Sequence, residues 1–175
     1  GNKDSSCVKG FCPSFVTAEG GQLRKKRSVV QEVRAALPAP RLPEHDRPYG
    51  IMVTGVGGTG VVTIGAILGM AAHLEGKGAA VLDMAGLAQK GGAVTCHLRI
   101  ANKPGDIHAV RIAAGEADLV LGCDMVVVND YWALSKIRAD RSRVVLNTYD
   151  AMPGTFPPRP DMQFPAAQLA EAVKT

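Results

Sequence analysis

Unbroken apolar runs are missing from this sequence, and their absence excludes a simple membrane protein. No purely apolar stretch approaches the ~20 residues that a spanning helix needs, although hydrophobic residues make up 46% of the 175-residue chain. The first ten residues, GNKDSSCVKG, lack the apolar segment of a secretory signal, which makes the cytoplasm the expected compartment. Aromatic residues amount to only 5%. The one concentrated basic run, RKKR at positions 24–27, therefore has no rings beside it on which bases stack, and nucleic acid is excluded as a partner. The excess positive charge is itself local. Residues 1–48 carry nine Lys and Arg against five Asp and Glu, whereas residues 49–175 carry eleven of each.

Cysteine clusters are missing too. Cys7 and Cys12 have four residues between them, wider than the C-x-x-C spacing usual at zinc and iron–sulfur sites, and no second pair follows. Cys96 and Cys123 lie in apolar segments, where cysteine behaves as a small hydrophobe. No metal is expected on this chain, nor a disulfide framework. His45, His73, His97 and His108 are scattered, and no catalytic residue is expected.

What is present falls into two parts. Residues 1–48 include LPAPRLPEHDRP, four prolines in twelve residues, which blocks helix and central strand alike. They read as a connector from an upstream domain. Residues 49–175 read as one α/β domain. GIMVTG is a buried strand, residues 59–75 a helix stopped by Gly76, and AAVLDM a second strand, together a strand–helix–strand unit. AVTCHLRI alternates as a half-buried strand, with IHAVRI as the returning arm of a hairpin. ADLVLG is another strand, residues 125–137 a helix and RVVLNT a strand. A proline-rich loop and a final helix begun by AAQLAEAVKT follow. The expected fold is Rossmann-like: a mostly parallel sheet, helices on both faces and an inserted β-hairpin. The last helix runs to the final residue, so the chain reads as a segment of a longer polypeptide.

Gly55, Gly57 and Gly60 fit G-x-G-x-x-G between the first strand and the helix. In dinucleotide sites the first glycine permits the tight turn, the second lets phosphate approach, and the third packs helix against strand. The helix N-terminus adds unpaired N–H groups and a positive dipole end. Asp83, 23 residues beyond Gly60, stands where a ribose-binding acid is sought. These features suit NAD or FAD; glycines placed for close packing are the other reading. Gly58 and Thr59 make the loop more open and polar than the pattern requires. A second loop, GLAQKGG, carries Gln89 and Lys90 at a tip framed by Gly86, Gly91 and Gly92, and such tips on a rigid sheet face a partner or ligand. Both loops follow successive strands of one expected parallel pair, which puts both at the carboxyl edge of the sheet, where α/β folds hold ligands.

The segments GVGGTGVVTIGAILGMAAHLEGK, DMAGLAQKGGAVTCHLRI, ADLVLGCDM and VVLNT, in that order, resemble the gamma domain of 2-oxoacid:ferredoxin oxidoreductases. GLAQKGGAV is most similar to the large fused bacterial indolepyruvate ferredoxin oxidoreductases, and CVKGFCPSF resembles the segment that joins their thiamine-diphosphate domain to the gamma domain. The resemblance implies part of an enzyme that oxidatively decarboxylates arylpyruvates with coenzyme A and passes electrons to ferredoxin. Thiamine diphosphate, Mg and iron–sulfur clusters then belong to other domains of the same enzyme, which are this domain's partners, and the isolated chain is inactive. It further implies a domain that closes the active site and faces CoA, presenting Gly55, Gly57, Gly58, Thr59, Gly60, Gln89, Lys90, Gly91 and Gly92. Many relatives carry arginine where this chain has Lys90, and lysine lacks the bidentate contact of arginine. The alternatives are an NAD-binding Rossmann domain of a dehydrogenase and a non-catalytic docking module. Asp83 separates the first of these: it points at a ribose in a dehydrogenase and packs into the fold or an interface in a gamma domain.

Overall fold

Strand β1 (Tyr49–Val56) has the sequence YGIMVTGV, without a charge, and is buried at every position but its two ends. Burial on both faces is the mark of a central strand. The computed structural model describes residues 46–86, 91–149 and 165–174, with Glu19, Gly20 and Ala39 besides. The chain divides into two units, Gly1–Arg41 and Leu42–Thr175, and the helices and strands of the described residues lie in the second. The connector expected over residues 1–48 falls almost wholly outside the described residues.

After β1 come helix α1 (Val61–Leu74), strands β2 (Gly78–Ala85), β3 (Ala93–Ala101) and β4 (Leu119–Gly122), and two single-turn helices, α2 (Met125–Val128) and α3 (Tyr131–Leu134). Strand β5 (Arg143–Leu146) and helix α4 (Ala166–Ala172) complete the order. The strands form one sheet, ordered β2-β3-β1-β4-β5. β1 pairs in parallel with β4, and β4 with β5, while β3 is antiparallel to both β1 and β2. Four strands thus point one way and β3 runs against them. The α/β class stands, as a mixed sheet. No described helix is long and apolar enough to cross a membrane.

Two expectations are corrected. The hairpin arms are not AVTCHLRI and IHAVRI: β3 pairs with β1 and β2, and residues 107–112 form no strand. Ile112 goes into the core instead. Its side chain is fully buried with Met52 and Val120, and its N–H donates to His97 Nδ1 at 3.2 Å. The helix expected over residues 125–137 is divided in two, because Asp130 adopts extended backbone as the N-cap of α3 and accepts from Trp132 N.

Side chains alternate across β1 into two cores. Ile51 and Val53 meet Val61, Cys96 and Leu98 on one face; Met52 meets Ile112, Ala117, Val120, Val128 and Ala133 on the other. Helix α1 covers the first face through Val61, Gly65, Gly69 and Ala72, one stripe at helical spacing. It lies unusually close to the sheet. A Cβ on Gly65 would strike Cys96 Sγ, and one on Gly69 would stand 2.8 Å from Val81 Cγ2. The helix ends at Gly76, whose φ of 72° turns its N–H back to His73 O at 2.9 Å.

At the amino end of β4, Asp118 is 5% exposed. Its carboxylate accepts from Gly50 N at 2.8 Å, from Arg47 at 2.7 and 3.3 Å and from Arg141 at 2.9 and 3.3 Å. Burial pushes this carboxyl up, but the donors of Arg141, Arg47 and Gly50 outweigh it and hold it down at about 2. His97, 3% exposed, is lowered to about 4 by burial and then by Arg111, Lys136 and Arg99.

Two stability predictions follow from this packing. Gly65→Ala should lower the unfolding free energy by about 1–3 kcal/mol in urea titrations, although alanine raises helix propensity by up to about 1 kcal/mol. The acid response should come in two windows. A histidine whose folded pKa is depressed leaves the unfolded state binding more protons, so its contribution is whole above the unfolded value of 6.5 and is lost as pH falls toward about 4. The Asp118 contribution is whole above 3.8 and is lost as pH falls toward about 2. Urea midpoints measured against pH should show both declines, and His97→Gln should abolish only the upper one, worth roughly 3 kcal/mol.

Candidate functional site

The carboxyl end of β1 turns into α1 through residues 55–60, and each glycine there has a distinct cause. Gly55 is a packing glycine: a Cβ would strike Thr59 Oγ1 and lie 2.9 Å from both Cys123 Cβ and Val61 Cγ2. Gly57 faces the second loop, and its N–H donates to Gly92 O at 2.8 Å. Gly58 and Gly60 have open space around them but φ values of 99° and 90°, which L side chains rarely adopt. The expected role of Gly60 in packing helix against strand is therefore corrected. Gly60 supplies a left-handed N-cap, and the close approach belongs to Gly65 and Gly69.

Thr59 is held back toward the strand. Its N–H and hydroxyl both donate to Val56 O, at 3.0 and 2.7 Å. Gly60 offers α1 no capping side chain. The first turn of the helix opens instead on a cleft of about 290 Å³, lined by the loop glycines, Val61, Val62, Thr63 and Val94. Uncapped N–H groups at the positive end of a helix dipole suit an anion.

Gly91, with φ of 71°, and Gly92 lie beside this loop; Gln89 and Lys90 fall outside the described residues. The two glycine-framed loops do emerge at one edge, since β1 and β2 both run opposite to β3. They do not follow a parallel pair, because β3 lies between. That insertion displaces Asp83. It pairs with Cys96, which pairs with Val53, so Asp83 stands two strands from β1, about 10 Å away, and below the edge. Burial and then the Asp83 carboxylate push the Cys96 thiol up to about 12. Asp83 thus stands exposed on β2, set apart from the loop by the width of β3.

Sequence reasoning passed over what holds this edge. Asp124, 4% exposed, accepts from Val56 N at 2.6 Å through Oδ2 and from Val126 N and Val127 N at 2.8 Å through Oδ1. One carboxylate caps α2 and fixes the last residue of β1. Asn147 donates to Cys123 O at 3.1 Å, and its N–H donates to Gly122 O at 2.8 Å. The Cys123 thiol is raised by burial and by Asp124, against a smaller lowering by the Thr59 hydroxyl, so it is no ready nucleophile. An aspartate just before an apolar helical turn is a readable N-cap signal; nothing in the sequence marks Asn147.

Residues 50–175 match the family described as pyruvate ferredoxin/flavodoxin oxidoreductase. The indolepyruvate oxidoreductase subunit IorB of Methanothermobacter thermautotrophicus is 33% identical over 133 residues, 72% of this chain and 64% of that protein. IorB of Archaeoglobus fulgidus is 34% identical over 103 residues, 59% of this chain and 48% of that protein. The chain thus spans about half to two thirds of these curated relatives. Among solved structures it is similar to pyruvate oxidoreductase subunit PORC of Thermotoga maritima, with a TM-score of 0.44 and 19% identity over 56% of this chain and 49% of that one.

Asp124→Ala should leave the N–H groups of Val56, Val126 and Val127 without their acceptor and cost about 2–4 kcal/mol of stability. Hydrogen exchange should accelerate first at Val56 and Gly57, while amides of β3 facing β2 keep their protection.

Proposed function

Because the chain belongs to the pyruvate ferredoxin/flavodoxin oxidoreductase family, we propose that it serves as the gamma-type domain of an enzyme that oxidatively decarboxylates arylpyruvates. In this reading CoA receives the acyl group and ferredoxin the electrons. The carrying observation is the join between the two glycine-framed loops, Gly57 N–H to Gly92 O, beside the uncapped start of α1. There the N–H groups of Gly58, Gly60 and the first turn of α1 would hold a CoA phosphate, with Lys90 supplying positive charge at the rim.

The chemistry lies in other domains. Thiamine diphosphate with Mg would supply activation of the 2-oxoacid there and iron–sulfur clusters the path for electrons; this chain's residues would bind, shield and orient. Among the described residues no three His, Cys, Asp or Glu side chains gather as a metal site requires. The outer face of α1 supports close contact with the rest of the enzyme. Ile67, Met70 and Leu74 are 62%, 58% and 79% exposed on a helix whose polar side chains are only Thr63 and His73, and an apolar helix face is normally covered. Against the dehydrogenase alternative, Asp83 stands on β2, with β3 between it and β1.

In the complete enzyme, Lys90→Ala should raise the KM for CoA about tenfold, the effect of one lost charged contact, with thiamine content unchanged. Unaltered kinetics would remove the second loop from the site. Micromolar NAD binding by the chain, measured by calorimetry, would instead restore the dehydrogenase reading.

A further inference from the structure

On the sheet face opposite α1, away from the glycine loops, positive charge gathers without enough negative charge to meet it. Arg99, on β3, is 9% exposed. Its Nη2 reaches Glu116 at 2.9 Å, but its Nε is buried with no partner. Lys136, just after α3, is 8% exposed, and among the described residues no carboxylate lies within ion-pair distance of it. Its Nζ stands 6.0 Å from the ring centroid of Trp132. Arg111 also has no acid partner among the described residues and precedes Ile112, the residue that fixes the imidazole of His97. Because His97 Nδ1 accepts that N–H, the ring proton is on Nε2, which makes Nε2 a donor.

Glu116 is the one acid paired within this group, and its side chain is 46% exposed. Of the two nearly buried cations, Arg99 has only this half-exposed carboxylate and Lys136 has none among the described residues. A buried charge without a partner is costly, and a counter-ion removes the cost. We propose that Arg99, Arg111, Lys136 and the Nε2–H of His97 form a binding site for a small oxyanion, a carboxylate or a phosphate. The site is separate from the glycine-loop edge. Gly55 pairs with Val94 and Gly50 with Arg99, so Arg99 lies five strand residues from that edge, about 16 Å. The depressed titration of His97 agrees with an uncompensated field, since Arg111, Lys136 and Arg99 all contribute to it after burial.

Trp132 is the chain's only tryptophan, and it reports on this site directly. Its fluorescence should be titrated in the 175-residue chain with inorganic phosphate and, separately, with acetate, against chloride at matched ionic strength. A saturable change with phosphate alone marks a phosphate site, and one with acetate marks a carboxylate site. Arg111→Ala should weaken binding about tenfold, and Lys136→Met should abolish it. Bound anion should also raise the His97 pKa, read by NMR. Arg111 is exposed, so its variant decides the matter if Lys136→Met does not fold. A response equal to that of chloride, an unchanged His97 titration, or wild-type affinity in Arg111→Ala would reduce Lys136 to a lysine resting on an indole ring and overturn the site.

Discussion

Strand β4 is four residues long, yet it joins the two halves of the sheet, and a buried aspartate holds it at each end. Asp118 binds the start of β1 and gathers Arg47 and Arg141; Asp124 binds the end of β1 and starts α2. Four ladder positions alone, Ile51 to Thr54 against Leu119 to Gly122, would leave the register of β4 against β1 open to fraying. Carboxylates that accept backbone N–H groups fix it, because a shift of one residue would strand buried charges. The geometry of the glycine edge follows from the same constraint. Val56 is placed by Asp124, the Thr59 turn is placed by Val56 O, and α1 begins where that turn ends.

The glycine pattern at the head of this chain belongs to a common α/β device, but its neighbours give it a different setting. In a dinucleotide fold the strand after the first helix pairs directly with the first strand, and its terminal acid reaches the ribose. Here an antiparallel strand occupies that place and carries the acid outward. The turn, the uncapped helix start and the dipole remain, so the edge still suits an anion.

Much of this was legible in the sequence. The uncharged run of β1, the glycine stop at Gly76 and the alternation of AVTCHLRI are local signals, and the elements formed where those signals placed them. Pairing was not legible. The period of AVTCHLRI says that a strand has two faces, but nothing in it says that β1 and β2 are its neighbours. IHAVRI was misread because alternation cannot distinguish a ladder strand from an extended segment whose one apolar side chain, Ile112, fills a core. At the site, Gly55 and Gly57 were readable as special, but the partners that make them so, Cys123 and Gly92, come from distant segments.

Strand order also governs how the chain acquires its structure. β1 is made before the other described strands and is the most central, yet it pairs with neither of the next two elements. Val56 must wait for Ala93, and Ile51 for Leu119. During synthesis both edges of an apolar strand are open until β3 arrives, and one stays open until β4. The β2–β3 ladder and its cover by α1 can form first as a local unit, but docking β1 into it requires closing long loops before any reward is gained. A sheet so arranged favours slow, late consolidation around its own centre, and the interval before β4 is made is when the nascent chain is most exposed to mispairing.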